Sequence, residues 1–351
     1  MEHAPRAPAG RPDANAELAA KVAFLSLPRA YPEGAGSVEA IETHMSWVFL
    51  TETHAYKLKK PQRVDHHDLH DVAARERHCR MEVRLNRRFG DDVYLGAVPL
   101  RVRPGGALAL GGEGGTVDWL VWMRRLPRGR MLDEMLRAGR AAPAHVAAFV
   151  KPLARFYAAA SPEPMGGAEL RAHLAARIAG VVRELATFAA HVPVPLVEDL
   201  GERQVAFLEA HAEALDARVA AQRIVEGHGD LRPEHICLER PPRFIDCLEF
   251  SRELRIVDPA EELGFLALEC ERLDAPWVRD VAFETYTQVT GDAPDAALVH
   301  FYQSCHACVR AKLALRHLLD AVPREPARWP GAAREYLALA AEHLQRAGLS
   351  R

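Results

Sequence analysis

The stretch that decides the fold reads R-I-V-E-G-H-G-D-L-R-P-E-H-I-C-L-E-R-P-P-R-F-I-D-C-L-E, from Arg223 to Glu249. It interrupts a long helical pattern. Two short apolar runs, Ile236-Cys237-Leu238 and Phe244-Ile245, flank the turn residues Arg240-Pro241-Pro242, which predicts a β-hairpin holding a loop. Asp230 and Asp246 stand sixteen positions apart on either side of that hairpin. Paired carboxylates fixed on rigid backbone suit a reaction in which one orients an attacking hydroxyl and the other holds a divalent metal on phosphates.

Working outward, the text on both sides is helical. Val146, Phe149, Val150, Leu153, Phe156 and Tyr157 recur at helical spacing. Pro152 falls within them and is expected to kink that helix or end its first part. Helices resume near Pro259 and continue almost to the C-terminus. Before Pro127-Arg128-Gly129 the character is different. The run V-E-A-I-E-T-H-M-S-W-V-F-L-T-E-T-H-A-Y-K-L, Val38 to Leu58, predicts three antiparallel strands. Asp68-Leu69-His70-Asp71 opens a helix that places Cys79, Glu82, Asn86 and Phe89 on one face. Val93 to Arg103 and Thr116 to Leu126 read as two further strands around a flexible Gly-rich hairpin loop. The expectation is an α+β chain with a loose tail over 1–34, a five-stranded first lobe over 35–126 with one main helix, and a larger, mostly helical second lobe over 127–351. The boundary near 126 reads as a hinge.

Of the 351 residues 49% are apolar and 26% charged, with a net charge of −3. This balance describes a globular protein with a large core and no global attraction to nucleic acid or to an acidic membrane surface. No stretch reaches the roughly 18 apolar residues of a membrane span. Six scattered cysteines, without a basic start and apolar core at the N-terminus, predict reduced thiols in the cytoplasm.

The motif H-G-D, followed at a distance by I-D, resembles the aminoglycoside phosphotransferase family of the protein-kinase-like superfamily, over most of residues 38–318. It is closer still to an uncharacterised bacterial branch, some of whose members carry a further C-terminal P-loop kinase domain. No G-x-x-x-x-G-K-[ST] occurs in this sequence. The resemblance implies Asp230 as catalytic base or hydroxyl-orienting group, with His228 ordering its loop, and Asp246 as a metal ligand. It also assigns Lys57 to the nucleotide phosphates, with Glu82 on the following helix as its ion-pair partner, and Lys57 rather than Lys59 is expected to be the one that reaches Glu82. Met123, Arg124 and Arg125 fall where adenine would be recognised by backbone groups. One position departs from the pattern: His235 stands five residues after Asp230, where the family has a metal-binding Asn. An imidazole there is expected to favour Mn²⁺ over Mg²⁺ or to leave one metal site weak, with Glu249 or Glu234 as replacement oxygens. Thr43-His44-Met45-Ser46 replaces a glycine-rich phosphate loop.

The resulting expectation is an ATP-dependent kinase using Mg²⁺ or Mn²⁺ and acting on a hydroxyl of a small molecule. A nucleotide-binding pseudokinase and an AMP-transferring protein are the alternatives. Elsewhere, Asp258 reads as a helix cap, His66, His67 and His70 as a solvated connection, Cys305 and Cys308 as core, and Lys312, with Arg310 and Arg316 nearby, as a side chain reaching solvent in preference to an anion-binding role at the cleft.

Overall fold

The β-branched and aromatic runs near the start form strands β1 (Glu39–Glu42), β2 (Ser46–Leu50) and β3 (His54–Lys59), each antiparallel to the next. This is a computed structural model, describing residues 14–64, 67–319 and 325–349. The chain divides into two units, the second beginning at Pro127.

In the first unit, α1 (Ala14–Leu25) precedes these strands. After them come α2 (Val72–Asn86), β4 (Tyr94–Val102), β5 (Leu108–Leu110) and β6 (Gly115–Arg124). The sheet has six strands in the order β1-β2-β3-β6-β4-β5. The extra strand is β5, which the glycines around it hide in the sequence. Asp71 caps α2 by accepting from the Ala73 N–H at 3.2 Å, three residues beyond the first acid of the predicted start. Cys79, Glu82 and Asn86 face inward as their spacing predicts, while Phe89 lies past the helix in a 3₁₀ turn.

The loose tail expected over 1–34 is corrected by α1; residues 1–13 lie outside the described residues. Leu25, Ala30 and Tyr31 join Phe49, Tyr56, Leu58, Leu100 and Leu120 in the core. A buried ion cluster fixes the helix: Lys21 Nζ meets Asp118 Oδ2 at 2.8 Å, and Arg75 donates to both Asp118 oxygens at 2.7 and 2.9 Å.

The second unit contains α3 (Leu132–Arg137), α4 (Pro143–Ala159), α5 (Gly167–Ala186), α6 (Val194–Ala210), α7 (Ala212–Ala220), α8 (Pro259–Glu271), α9 (Trp277–Thr290), α10 (Ala296–Arg316) and α11 (Arg328–Arg346). One core gathers Leu185, Leu200, Leu268, Leu315 and Leu344. Another is centred on Phe207 stacked against Phe301 at 4.4 Å. Helix α4 runs through Pro152 without ending, so of the two expected outcomes the early end is corrected. Its buried face of Val146, Phe149, Val150, Leu153 and Tyr157 outweighs the roughly 3 kcal/mol that an internal proline costs.

Between α7 and α8 the chain makes only two-residue strands. Ile236–Cys237 pairs with Arg243–Phe244, and Val225–Glu226 with Ile256–Val257. Cys305 and Cys308 are buried in α10 and unoxidised. Burial pushes the Cys308 thiol up to about 12, which suits packing and not redox exchange. Among the described residues no helix is long and apolar enough to cross a membrane.

Candidate functional site

Strand period decides the first unit's charged group. Lys57 and Lys59 lie two residues apart on β3, so both side chains leave the same face. Lys57 is held in the middle of the sheet, opposite Val48 on β2 and Val121 on β6. Glu82 projects from α2 with no exposed surface, and both lysines reach it: Lys57 Nζ lies 3.0 Å from Oε1 and Lys59 Nζ 2.5 Å from Oε2. The expectation that only one lysine reaches Glu82 is therefore corrected. Lys59, at 3% exposure, is the more enclosed of the two.

The Thr43–Ser46 turn closes on itself. The Thr43 N–H donates to the Ser46 carbonyl at 2.8 Å, and the Ser46 N–H to Thr43 Oγ1 at 2.9 Å. These amides are spent on the turn. Met123 sits inside the ladder opposite Ala55 and Tyr94. The Arg124 and Arg125 N–H groups donate to the carbonyls of Val93 at 2.9 Å and Thr53 at 2.8 Å. Those two N–H donors are engaged within the first unit.

In the second unit, hydrogen bonds to side chains shape the loop where ladders are too short to do so. Gly229 has φ +85°, and a Cβ there would meet Arg255 Cγ at 3.0 Å and Leu248 Cβ at 3.1 Å. Buried His228 donates from Nε2 to the Ile245 carbonyl at 2.9 Å and accepts the Asp230 N–H on Nδ1 at 3.3 Å. These bonds specify the neutral Nε2–H tautomer. Burial, with the His235 charge second, pulls the His228 pKa down to about 3. His228 thus braces the loop, as its sequence setting predicts, in an uncharged form.

Beneath it, Glu262 of α8 accepts the N–H groups of His228 at 2.9 Å and Gly229 at 2.5 Å, together with the Tyr157 hydroxyl. Burial raises the Glu262 pKa. Asp258 caps α8 through the Ala260 N–H at 2.9 Å and is gripped by Arg218 at 2.7 Å.

The short hairpin brings the two acids' neighbourhoods together. The Ile245 N–H donates to the His235 carbonyl at 3.0 Å, which sets Asp246 beside the imidazole. His235 Nδ1 donates to the Asp230 carbonyl at 2.8 Å, so Nε2 is left as the acceptor, 3.5 Å from Asp246 Oδ2. Asp246 has φ +62°, a left-handed conformation uncommon for a residue with a side chain and concentrated at functional sites.

Arg232 is the partner that the motif contains but the sequence reading passed over. Its Nε lies 3.1 Å from Asp230 Oδ1, its Nη1 2.7 Å from Glu234 Oε1, and its Nη2 3.2 Å from His235 Nε2. Burial alone would raise the Asp230 pKa, but Arg232, His235 and Arg310 outweigh it and hold the carboxyl below its usual value. Glu234 is committed to Arg232, which weakens its candidacy as a replacement metal oxygen. Among the described residues, no group of three or more His, Cys, Asp or Glu side chains converges on one cation position.

Of the remaining candidates, His70 Nδ1 pairs with Asp68 at 2.6 Å on the surface, and His66 lies outside the described residues. Lys312 Nζ stands 3.7 Å from Glu184.

No family model matches the chain. Uncharacterised proteins of Mycobacterium bovis and Mycobacterium tuberculosis are 30% identical to it over 328 residues, covering 88% of this chain and 60% of theirs. The chain thus spans about 60% of the length of the curated relatives it matches. Among solved structures, a choline/ethanolamine kinase family protein from Mesorhizobium loti matches with a TM-score of 0.51 at 17% identity, covering 95% of this chain and 99% of that one. An aminoglycoside phosphotransferase from Streptomyces rimosus, in complex with ADP and streptomycin, matches with a TM-score of 0.44 at 21% identity over 80% of this chain and 95% of that one.

Proposed function

We propose, from the premise that this chain has the two-lobed protein-kinase-like fold, that it is a phosphotransferase moving the γ-phosphoryl group of ATP to a hydroxyl of a small molecule. One observation carries the reading: the hairpin sets His235 Nε2 3.5 Å from Asp246 Oδ2 while the same imidazole is tied to the backbone of Asp230. A hydroxyl-orienting carboxylate and a metal-binding pair then share one rigid loop, as phosphoryl transfer requires.

In this reading Asp230 orients the acceptor hydroxyl and takes its proton. Its lowered pKa makes it a weak base, which suits a loose transition state in which the nucleophile keeps its proton until late. Lys57 and Lys59, held by Glu82, would meet nucleotide phosphates. Asp246 and His235 are the residues that would hold a divalent metal, and their oxygen–nitrogen set suits Mn²⁺ better than Mg²⁺. Bound there, the metal would offset phosphate charge.

A nucleotide-binding protein without turnover is the second reading, favoured by one contact: Arg232 Nη2 donates to the same His235 Nε2 that would ligate the metal. ADP production across hydroxyl acceptors, in Mg²⁺ and in Mn²⁺, separates the two. Turnover is expected, with Mn²⁺ the better ion, and His235→Asn should lower the Mn²⁺-to-Mg²⁺ activity ratio roughly 10-fold. Nucleotide-induced thermal stabilisation without turnover under either ion would establish the second reading instead.

A further inference from the structure

Helix α8 carries Glu261, Glu262, Glu269 and Glu271, an acidic series that a cationic acceptor would seek. Each is already engaged. Glu261 pairs with Arg177 Nη2 at 2.5 Å and with His306 Nε2 at 3.0 Å. Glu262 holds the catalytic-loop amides. Glu269 accepts from the Tyr336 hydroxyl at 2.7 Å and faces Arg310 Nε at 3.2 Å. Glu271 faces His343 Nε2 and Arg346 Nη1, each at 3.1 Å. A cation entering here would displace an arginine or a histidine from its partner, at a cost in desolvated charge.

The basic side of the same cluster is less completely used. Arg310 Nε of α10 lies 3.2 Å from Glu269 Oε1 and donates to the Tyr336 hydroxyl at 3.2 Å, with the guanidinium carbon 5.6 Å from the centre of the Tyr336 ring. Neither Nη atom donates a hydrogen bond to any of the described residues, and the side chain keeps 21% of its surface. Arg310 is also one of the charges that act on Asp230, Arg232 and Glu234, so it belongs to the neighbourhood of the loop. Next to it, Arg272 lies over the Tyr336 ring at 4.0 Å and donates to its hydroxyl at 2.7 Å. The ring is thereby fixed and Arg310 with it. Two Nη groups in one plane match a carboxylate or phosphate bidentately.

We propose that the acceptor is an anion, a hydroxyl compound bearing a carboxylate or phosphate group, and that Arg310 receives that group. The proposal rests on the phosphotransferase reading above. In the reaction the bond between the γ-phosphorus and the β,γ-bridging oxygen breaks and a bond from phosphorus to the acceptor oxygen forms. The hydroxyl proton passes to Asp230, and ADP leaves.

The test is isothermal titration of the full chain, saturated with ADP, using D-glycerate, glycerol 3-phosphate, glycerol, ethanolamine and choline, with ADP production from ATP measured in parallel. At least one anion is expected to bind 10-fold or more tightly than glycerol, ethanolamine or choline; which anion does so separates a carboxylate from a phosphate ligand. Arg310→Gln should weaken that binding 10-fold or more, whereas Glu269→Gln, which removes the charge neutralising Arg310, should strengthen it. The opposite sign of the second variant keeps the test sharp if the first folds poorly. Preference for choline or ethanolamine, absence of anion binding, or anion binding indifferent to both substitutions overturns the proposal. Phosphorylated choline would overturn it while leaving the phosphotransferase reading intact. Arginine-dependent anion binding without phosphoryl transfer under either ion would support Arg310 as receptor and overturn the phosphotransferase reading.

Discussion

The two units hold their charged residues by opposite means. In the first, Glu82 sits within a capped helix and meets two lysines of a strand laddered in the sheet, so regular backbone places the three side chains. In the second, Asp230 and Asp246 lie on backbone that includes Gly229 at φ +85° and Asp246 at φ +62°, flanked by strands of two residues. There, side chains do the placing. Buried Arg255 donates to the carbonyls of Leu248 at 2.8 Å and Ser251 at 3.0 Å, while His228 and Glu262 hold the other side of the loop. Disturbing the first group should therefore cost fold stability, and disturbing the second should chiefly alter chemistry.

The largest stability effect is expected at Glu82. Glu82→Gln removes the carboxylate charge that both enclosed ammonium groups meet, and breaking a buried pair in this way costs about 3–5 kcal/mol. Urea unfolding followed by Trp fluorescence would register the loss. A change below about 1 kcal/mol would show that water reaches the cluster, and the contrast between the units would weaken.

A smaller effect is expected from acid at His228. The native imidazole titrates at about 3, whereas the unfolded chain takes up that proton near 6.5, so between these values the unfolded state binds more protons and stability falls as pH is lowered. This group contributes a slope of at most about 1.4 kcal/mol per pH unit. His300, drawn down by burial to about 4, adds a slope of the same sign. Glu261 and Glu271, held at about 2, lose stabilisation only below the ordinary glutamate range. His228→Gln should flatten the stability profile between pH 6.5 and 4. An unchanged slope would mean that the loop histidine is hydrated.

What the sequence revealed follows the same division. The first three strands, the α2 face bearing Glu82 and the hairpin between the two acids were legible because each rests on a local signal: β-branched and aromatic runs, a three- and four-residue spacing, and turn residues between apolar runs. Helix α1 was not, since its alanine-rich text has little amphipathic signal and its anchor, Lys21 to Asp118, spans 97 positions. Strand β5 was hidden among glycines. At the loop, Asp230, His235 and Asp246 were marked by the motif, but that Glu262 of α8 would bind the loop amides, with Tyr157 of α4 behind it, depends on packing between separate helices and has no local signature. Arg232 stood within the motif, and its two-residue offset from Asp230 was the signal that would have found it. Lys59 was passed over by supposing that one glutamate serves one lysine, although the strand's period puts both on the same face.

The central claim is that the irregular loop of the second unit carries chemistry through Asp230. Its most direct test compares wild type with Asp230→Asn, measuring ADP production with a competent acceptor and nucleotide affinity by calorimetry on the same preparations. Turnover is expected to fall roughly 10²- to 10⁴-fold while nucleotide affinity stays within a few-fold, because this carboxylate orients the acceptor and takes its proton. Undiminished turnover in Asp230→Asn would contradict the account.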